Sequence, residues 1–268
     1  MISFPNAKLN LGLSILSKRP DGFHNLETIF YPVPIRDVLE IVPSEFTGIN
    51  LSGLKIAGNT EDNLVLRAYQ LLKKKYPVVS GLEIYLHKAI PTGAGMGGGS
   101  SDAAGMIQLM NGYFDLQIPE EDLKSYASQL GSDCPFFMQS APCFAQSRGE
   151  IIEPVNLDLS GFSILLIHPE IQIDTAWAYS RVKPSHPSYN LKEAILQPTE
   201  NWAHLIHNDF EMPVFEKYPK LRKIKEELYT AGALYAAMTG SGSTIFGIFN
   251  KSEIPVIIFD NVRQHIIN

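Results

Sequence analysis

Apolar and polar residues alternate through the opening segment NAKLNLGLSIL. Ala7, Leu9, Leu11 and Leu13 share one face, and Lys8, Asn10 and Ser14 share the other. That period of two predicts a strand with one buried side. RDVLEIV and GLEIYLH read as further strands. DNLVLRAYQLLKKKY has helical spacing, with Asp62 or Asn63 as its cap. SSDAAGMIQLMNGYF predicts a helix opening at Ser100 or Ser101. PEEDLKSYASQLG predicts another, with Pro119 and acids at its start and Gly131 past its end. PCFAQS and EIIEPV form a hairpin pattern around Arg148 and Gly149. The pattern changes near residues 153–161. FSILLIH is a buried strand, shorter helices follow, and one long helix is expected across VFEKYPKLRKIKEELYTAG. LYAAMTG and TIFGIFN read as strands around the turn GSGS, and PVIIFD as a last strand. The whole reads as α+β, with two domains divided at residues 1–152 and 153–268 and a cleft between them.

Composition narrows the classes. The chain has 268 residues, 45% hydrophobic and 19% charged, the profile of a globular protein with length enough for a sizeable core. The net charge is -6 and no Lys/Arg block stands out, which argues against a nucleic-acid partner. The N-terminus MISFPNAKLN lacks the pattern of a signal peptide, and no apolar run is long enough to cross a membrane. Cys134 and Cys143 are the only cysteines and fit no zinc pattern. A cytoplasmic protein with reduced thiols, a monomer or weak dimer without membrane attachment, is the expectation.

Between Pro91 and Ala104 the chain reads PTGAGMGGGSSDAA, with glycine at 93, 95, 97, 98 and 99. The stretch runs from a predicted strand into a predicted helix. That geometry aims free backbone N–H groups and a positive helix end at one point, where a phosphate would sit. Gly93, Gly95 and Gly98 satisfy the dinucleotide fingerprint, but no second parallel strand follows the helix. A Walker loop needs Gly-Lys-Ser/Thr, and here Gly99-Ser100-Ser101 stands instead. Neither H-R-D nor D-F-G of the protein kinases occurs. The stretch is therefore a phosphate cradle of a fourth kind.

Two further residues bear on the chemistry. Lys8 lies on the polar face of an apolar strand, either as a solvated edge lysine or as a functional cation. Asp133, in LGSDCPFFM, is either a turn aspartate capping backbone N–H groups or a base. His204 and His207, near Asp209 and Glu211, lack a convincing set of further ligands, so no protein metal site is expected.

These segments together resemble the GHMP kinase superfamily. PTGAGMGGGSSDAA resembles its phosphate loop, with Met96 where leucine is usual. PNAKLNLGL, RPDGFHNLETIF with Phe23 for tyrosine, EDNLV, LGSDCPFFM, IDTAWAY, HNDFE and TGSGSTIFGIF resemble, in order, the blocks of one branch of it. That branch phosphorylates a cytidine diphosphate alcohol in non-mevalonate isoprenoid synthesis. The resemblance implies a two-domain GHMP kinase fold, with an N-terminal domain like domain 2 of ribosomal protein S5 and a ferredoxin-like C-terminal domain. It implies ATP and Mg²⁺ as cofactors, Asp133 as base and Lys8 as its charged partner. ATP would be held by Pro91, Thr92, Gly93, Ala94, Gly95, Met96, Gly97, Gly98, Gly99, Ser100 and Ser101, with Asn63 and Lys88 near the adenine. Read without the resemblance, Asn63 is a helix cap and Lys88 a solvated strand end. The cytidine side would carry Asn10, Phe23, His24, Thr175 and Tyr179, the two aromatics Phe23 and Tyr179 sandwiching the base. Two alternatives stay open: another small-molecule GHMP kinase, or a nucleotide-binding relative without catalysis.

Overall fold

Period-two and period-3.6 stretches become strands and helices in the computed structural model, which describes residues 1–56, 59–251, 259 and 262–268. In chain order these form β1 (Ile2–Ser3), β2 (Asn6–Lys18), β3 (His24–Arg36), β4 (Val38–Pro43), β5 (Gly48–Gly53), α1 (Leu64–Lys75), β6 (Leu82–Lys88), α2 (Gly98–Tyr113), α3 (Glu120–Leu130), α4 (Cys134–Phe137), β7 (Cys143–Ser147) and β8 (Ile151–Pro154). They continue with β9 (Phe162–His168), α5 (Thr175–Arg181), α6 (Leu191–Ala194), α7 (Trp202–Leu205), α8 (Glu211–Lys217), α9 (Pro219–Thr230), β10 (Tyr235–Met238), β11 (Ile245–Asn250) and β12 (Arg263–Ile267). Two units emerge, each drawn from three stretches of chain. The first takes Met1–Lys8, Pro32–Thr92 and Gly97–Ala141; the second takes Leu9–Tyr31, Gly93–Met96 and Pro142–Asn268.

In the first unit a four-stranded sheet runs β1-β4-β6-β5. β4 is antiparallel to both its neighbours, and β5 is parallel to β6. Leu39 and Ile41 of β4 and Leu82, Ile84 and Leu86 of β6 supply one side of its core. α1 supplies Val65, Ala68, Tyr69 and Leu72, spaced at i, i+3, i+4 and i+7 along one stripe. α2 is buried along most of its length, which its run of glycine, serine and alanine permits. Asn63 caps α1 by accepting from the Val65 N–H at 2.9 Å.

In the second unit an antiparallel sheet runs β10-β11-β9-β12. α9 lays Leu221, Ile224 and Leu228 into the same core as Leu165, Ala236 and Ile245. A further sheet runs β2-β3-β7-β8, with Leu26 opposite Ser147 and Phe30 opposite Cys143. The expected hairpin is the antiparallel pair β7–β8.

The structure differs from these expectations at several points. The single long helix is two, α8 and α9, because Pro219 disfavours helical backbone at the residue before it; Tyr218 takes φ -126, ψ 74. The 13-residue strand β3 is not legible in the sequence, since HNLETIFYPVPIR carries two prolines that mask its pattern. The strand expected at PVIIFD falls on residues 255–260, of which all but Phe259 lie outside the described residues. β12, also unforeseen, lies beyond it and pairs with β9. Cys134 in the first unit and Cys143 in the second are both unpaired and buried. Burial pushes each thiol up to about 12. Among the described residues no helix is long and apolar enough to cross a membrane.

Candidate functional site

The glycine stretch joins the end of β6 to the start of α2. Gly93, Gly95 and Gly97 take φ of +69°, +78° and +71°. Between them the side chains of Ala94 and Met96 are buried. Every second residue is thus left-handed and the alternate side chains are anchors, a path only glycine follows without strain. In the second unit Thr239 holds the first half of the stretch. Its hydroxyl donates to the Gly95 carbonyl at 3.1 Å, and Thr244 N–H donates to the Ala94 carbonyl at 3.3 Å. A Cβ on Gly95 would fall 2.0 Å from the Thr239 carbonyl oxygen.

In the first unit α2 opens at Gly98 with Gly97 as its cap, two residues before the serines expected to start it. Serine is a favoured cap, but here glycine's left-handed backbone ends the turn, and Ser101 N–H already bonds the Gly97 carbonyl at 2.9 Å. No side chain caps this helix end. Its first N–H groups, which have no intrahelical partner in any α-helix, are not taken up by a capping side chain. Ser100 is half-buried and Ser101 fully buried, so of the two hydroxyls that of Ser100 is the more open. A Cβ on Gly97 would meet Phe137 Cζ at 2.8 Å and Lys8 Cε at 3.2 Å.

That contact brings Lys8 to the helix start. Its Nζ lies 3.4 Å from Asp133 Oδ2, with the lysine side chain 4% exposed and the aspartate 33%. A solvated edge lysine is ruled out by that burial. Asp133 sits at the cap position of α4 yet makes no capping bond, so its carboxylate is not spent on backbone. Desolvation pulls the Lys8 ammonium below the ordinary lysine range, and the attraction of Asp133 works against that pull. A partly open carboxylate, a buried cation and an uncapped helix N-terminus thus converge within one unit. Such a group can accept a proton from an alcohol and stabilise charge on a phosphoryl group.

The other expected site residues separate into groups. In the second unit His24 stacks on Tyr179 at 5.0 Å, and Tyr179 meets Phe210 edge-on at 4.8 Å. Phe23, half exposed, has the Arg148 guanidinium 5.0 Å from its ring centre. His24 thus packs on Tyr179, while Phe23 lies beside Arg148. Asn10 is buried; its Nδ2 donates to Thr28 Oγ1 at 2.9 Å and its N–H to Thr239 Oγ1 at 3.0 Å. The Thr175 hydroxyl lies 3.1 Å from that of Ser241 in the second glycine turn. His207 meets Tyr189 edge-on, while Asp209 accepts from Ile15 N–H and Glu211 accepts from Lys225 and Met238 N–H.

In the first unit Asn63 spends its side-chain oxygen on the α1 cap. Lys88 is neither solvated nor open. Its amine donates to Asp37 and, at 2.6 Å, to Asp102 Oδ2, all three residues being buried. Neither acid was singled out in the sequence. The available signal was an aspartate at 102 inside a run of small and apolar residues, where only a partnered charge is tolerated.

The family description "GHMP kinases N terminal domain" matches residues 63–140, and "GHMP kinases C terminal" matches residues 191–268. A 4-diphosphocytidyl-2-C-methyl-D-erythritol kinase of Bacteroides fragilis is 49% identical over 258 residues, covering 94% of this chain and 93% of the relative. One from Bacteroides thetaiotaomicron is 51% identical, covering 93% and 92%. A crystal structure of 4-(cytidine 5'-diphospho)-2C-methyl-D-erythritol kinase superposes with a TM-score of 0.77 at 30% identity, over 92% of this chain and 90% of that one. The mevalonate kinase of Methanococcus jannaschii, at 13% identity and a TM-score of 0.68, shares the fold. With its uncapped glycine-led helix, its paired lysine and aspartate, and relatives matching nearly end to end, the chain belongs to the GHMP kinases, in the family of the 4-diphosphocytidyl-2-C-methyl-D-erythritol kinases.

Proposed function

We propose that this chain transfers the terminal phosphoryl group of ATP to the 2-hydroxyl of 4-diphosphocytidyl-2-C-methyl-D-erythritol, with Asp133 as general base. The observation that carries the mechanism is the Lys8–Asp133 pair beside the uncapped start of α2. The substrate is argued from the relatives at about half identity that bear its name.

Residues 93–101 form the triphosphate cradle. The phosphate oxygens accept from the free N–H groups of the helix start, where a side chain at Gly97 would crowd Phe137 and Lys8. The acceptor hydroxyl gives its proton to Asp133 as its oxygen bonds to phosphorus, and ADP leaves with the electron pair of the broken P–O bond. Lys8 steadies the charge that develops there. Mg²⁺, entering with ATP, would supply neutralisation of the phosphate charge. The residues at the helix start fit a hard cation, since Ser100 offers a half-buried hydroxyl oxygen there. Phe23, His24 and Tyr179, with Asn10 and Thr175, recognise the cytidine end. Asn63 borders the adenine.

ATP turnover against a panel of alcohols, with and without a cytidine diphosphate group, tests this reading. ADP release only with the cytidine-bearing acceptor is expected. Equal turnover of a plain alcohol would place the chain among other small-molecule kinases, and nucleotide binding without turnover would mark a non-catalytic relative.

A further inference from the structure

Below the glycine stretch lies a charged cluster with no surface. Asp37, at the one-residue break between β3 and β4, is fully buried. Its Oδ1 accepts from the N–H groups of Ala89 at 2.6 Å and Ile90 at 2.8 Å, the two residues that carry the chain from β6 toward the glycines. Its Oδ2 accepts from Lys88 Nζ. The same Nζ donates to Asp102 Oδ2 at 2.6 Å, on the second turn of α2, where the chain leaves the glycines. A Cβ on Gly98 would lie 3.3 Å from Lys88 Nζ and 2.8 Å from Ile90 Cγ2, so the helix start rests directly on this cluster. Asp102 Oδ1 is buried with no hydrogen-bond partner.

Burying two carboxylates and an ammonium is expensive, and the same volume filled by apolar groups is often as stable or more so. A fold gains specificity of position rather than stability from such a cluster. The position set here is the spacing between the entry to the glycine stretch and the helix that leaves it.

We propose that Asp37, Lys88 and Asp102 form a clamp that positions the phosphate cradle, so that Asp37 governs ATP affinity without touching the nucleotide. The proposal rests on residues 93–101 being the triphosphate cradle. It also gives Lys88 a role beneath the cradle instead of beside the adenine.

The test compares ATP and adenosine binding by calorimetry in three variants. Asp37→Asn keeps the size and an acceptor for Ala89 and Ile90 but cannot accept from Lys88. Lys88→Met removes the bridge. The triple change Asp37→Asn, Lys88→Met, Asp102→Leu replaces the charges by near-isosteric groups and guards against a single variant that fails to fold. In folded variants ATP affinity is expected to fall about ten-fold or more, with adenosine affinity and the KM of the acceptor within two-fold of wild type. ATP affinity unchanged in the folded triple variant overturns the clamp. Equal losses for adenosine and ATP in Lys88→Met also overturn it, because the lysine then touches the base. Gly97→Val is the control for the cradle itself. If it leaves ATP binding intact, the cradle reading has failed, whereas ATP binding lost in Gly97→Val but kept in Asp37→Asn refutes the clamp alone.

Discussion

Lys8 and Asp133 ask opposite things of stability and catalysis. The lysine is buried and its ammonium is held below the ordinary range by desolvation. Lys8→Met removes a buried charge and leaves Asp133, a third exposed, to be solvated by water. Its Tm should not fall, while kcat should drop sharply. A lowered Tm would mean that the pair holds the fold rather than serving the chemistry. Asp133→Asn is nearly isosteric but a poor proton acceptor, so kcat should fall roughly a hundred- to ten-thousand-fold with ATP affinity little changed. Turnover within a few-fold of wild type would refute Asp133 as base. Both residues were legible in the sequence as candidates, through an odd lysine in an apolar strand and an aspartate after a helix stop. Only the structure shows that the first is buried and the second caps nothing. Asp37 and Lys88 were not legible as partners, because pairing across 51 positions leaves no local trace.

The loop-to-helix element carries its information in which glycine cannot be replaced. At Gly93 a Cβ meets nothing within 4 Å, so Gly93→Ala suffers only the left-handed backbone, about 1–2 kcal/mol. At Gly95 the same backbone is joined by a collision with the Thr239 carbonyl, which is main chain and cannot rotate away. Gly95→Ala should cost at least about 3 kcal/mol. Thermal melts of the two variants check the contrast, and equal losses would show that Gly95 is not packed on Thr239. Strands with clean alternation and helices with clean caps were legible because their signals are local. Proline blurs the local signal in both directions: Pro219 divides one periodic stretch into two helices, and β3 runs on through Pro32 and Pro34. The start of α2 is not legible in the sequence, because serine is a favoured cap and a glycine cap shows itself only by its φ.

At the scale of the whole molecule, stability should depend on pH through Asp102. Burial raises its carboxyl to about 7 in the folded chain, whereas the unfolded chain releases that proton near pH 4. Between those values the folded state binds more protons, so this group makes stability fall as pH rises through that window. Burial lowers His24, His168 and His265, which tilts the curve the other way, but equally in wild type and variant. Denaturant melts from pH 4 to 8 should therefore show Asp102→Asn gaining on wild type as pH rises, and a constant difference would refute the raised carboxyl. The two buried cysteines have a use of their own. With one thiol in each unit and both held protonated and out of solvent, neither reacts with an alkylating reagent until its surroundings open. The chain thus carries a native pair of clocks, and mass spectrometry of the Cys134 and Cys143 peptides after timed labelling reads the opening rate of each unit separately, without a probe having to be introduced.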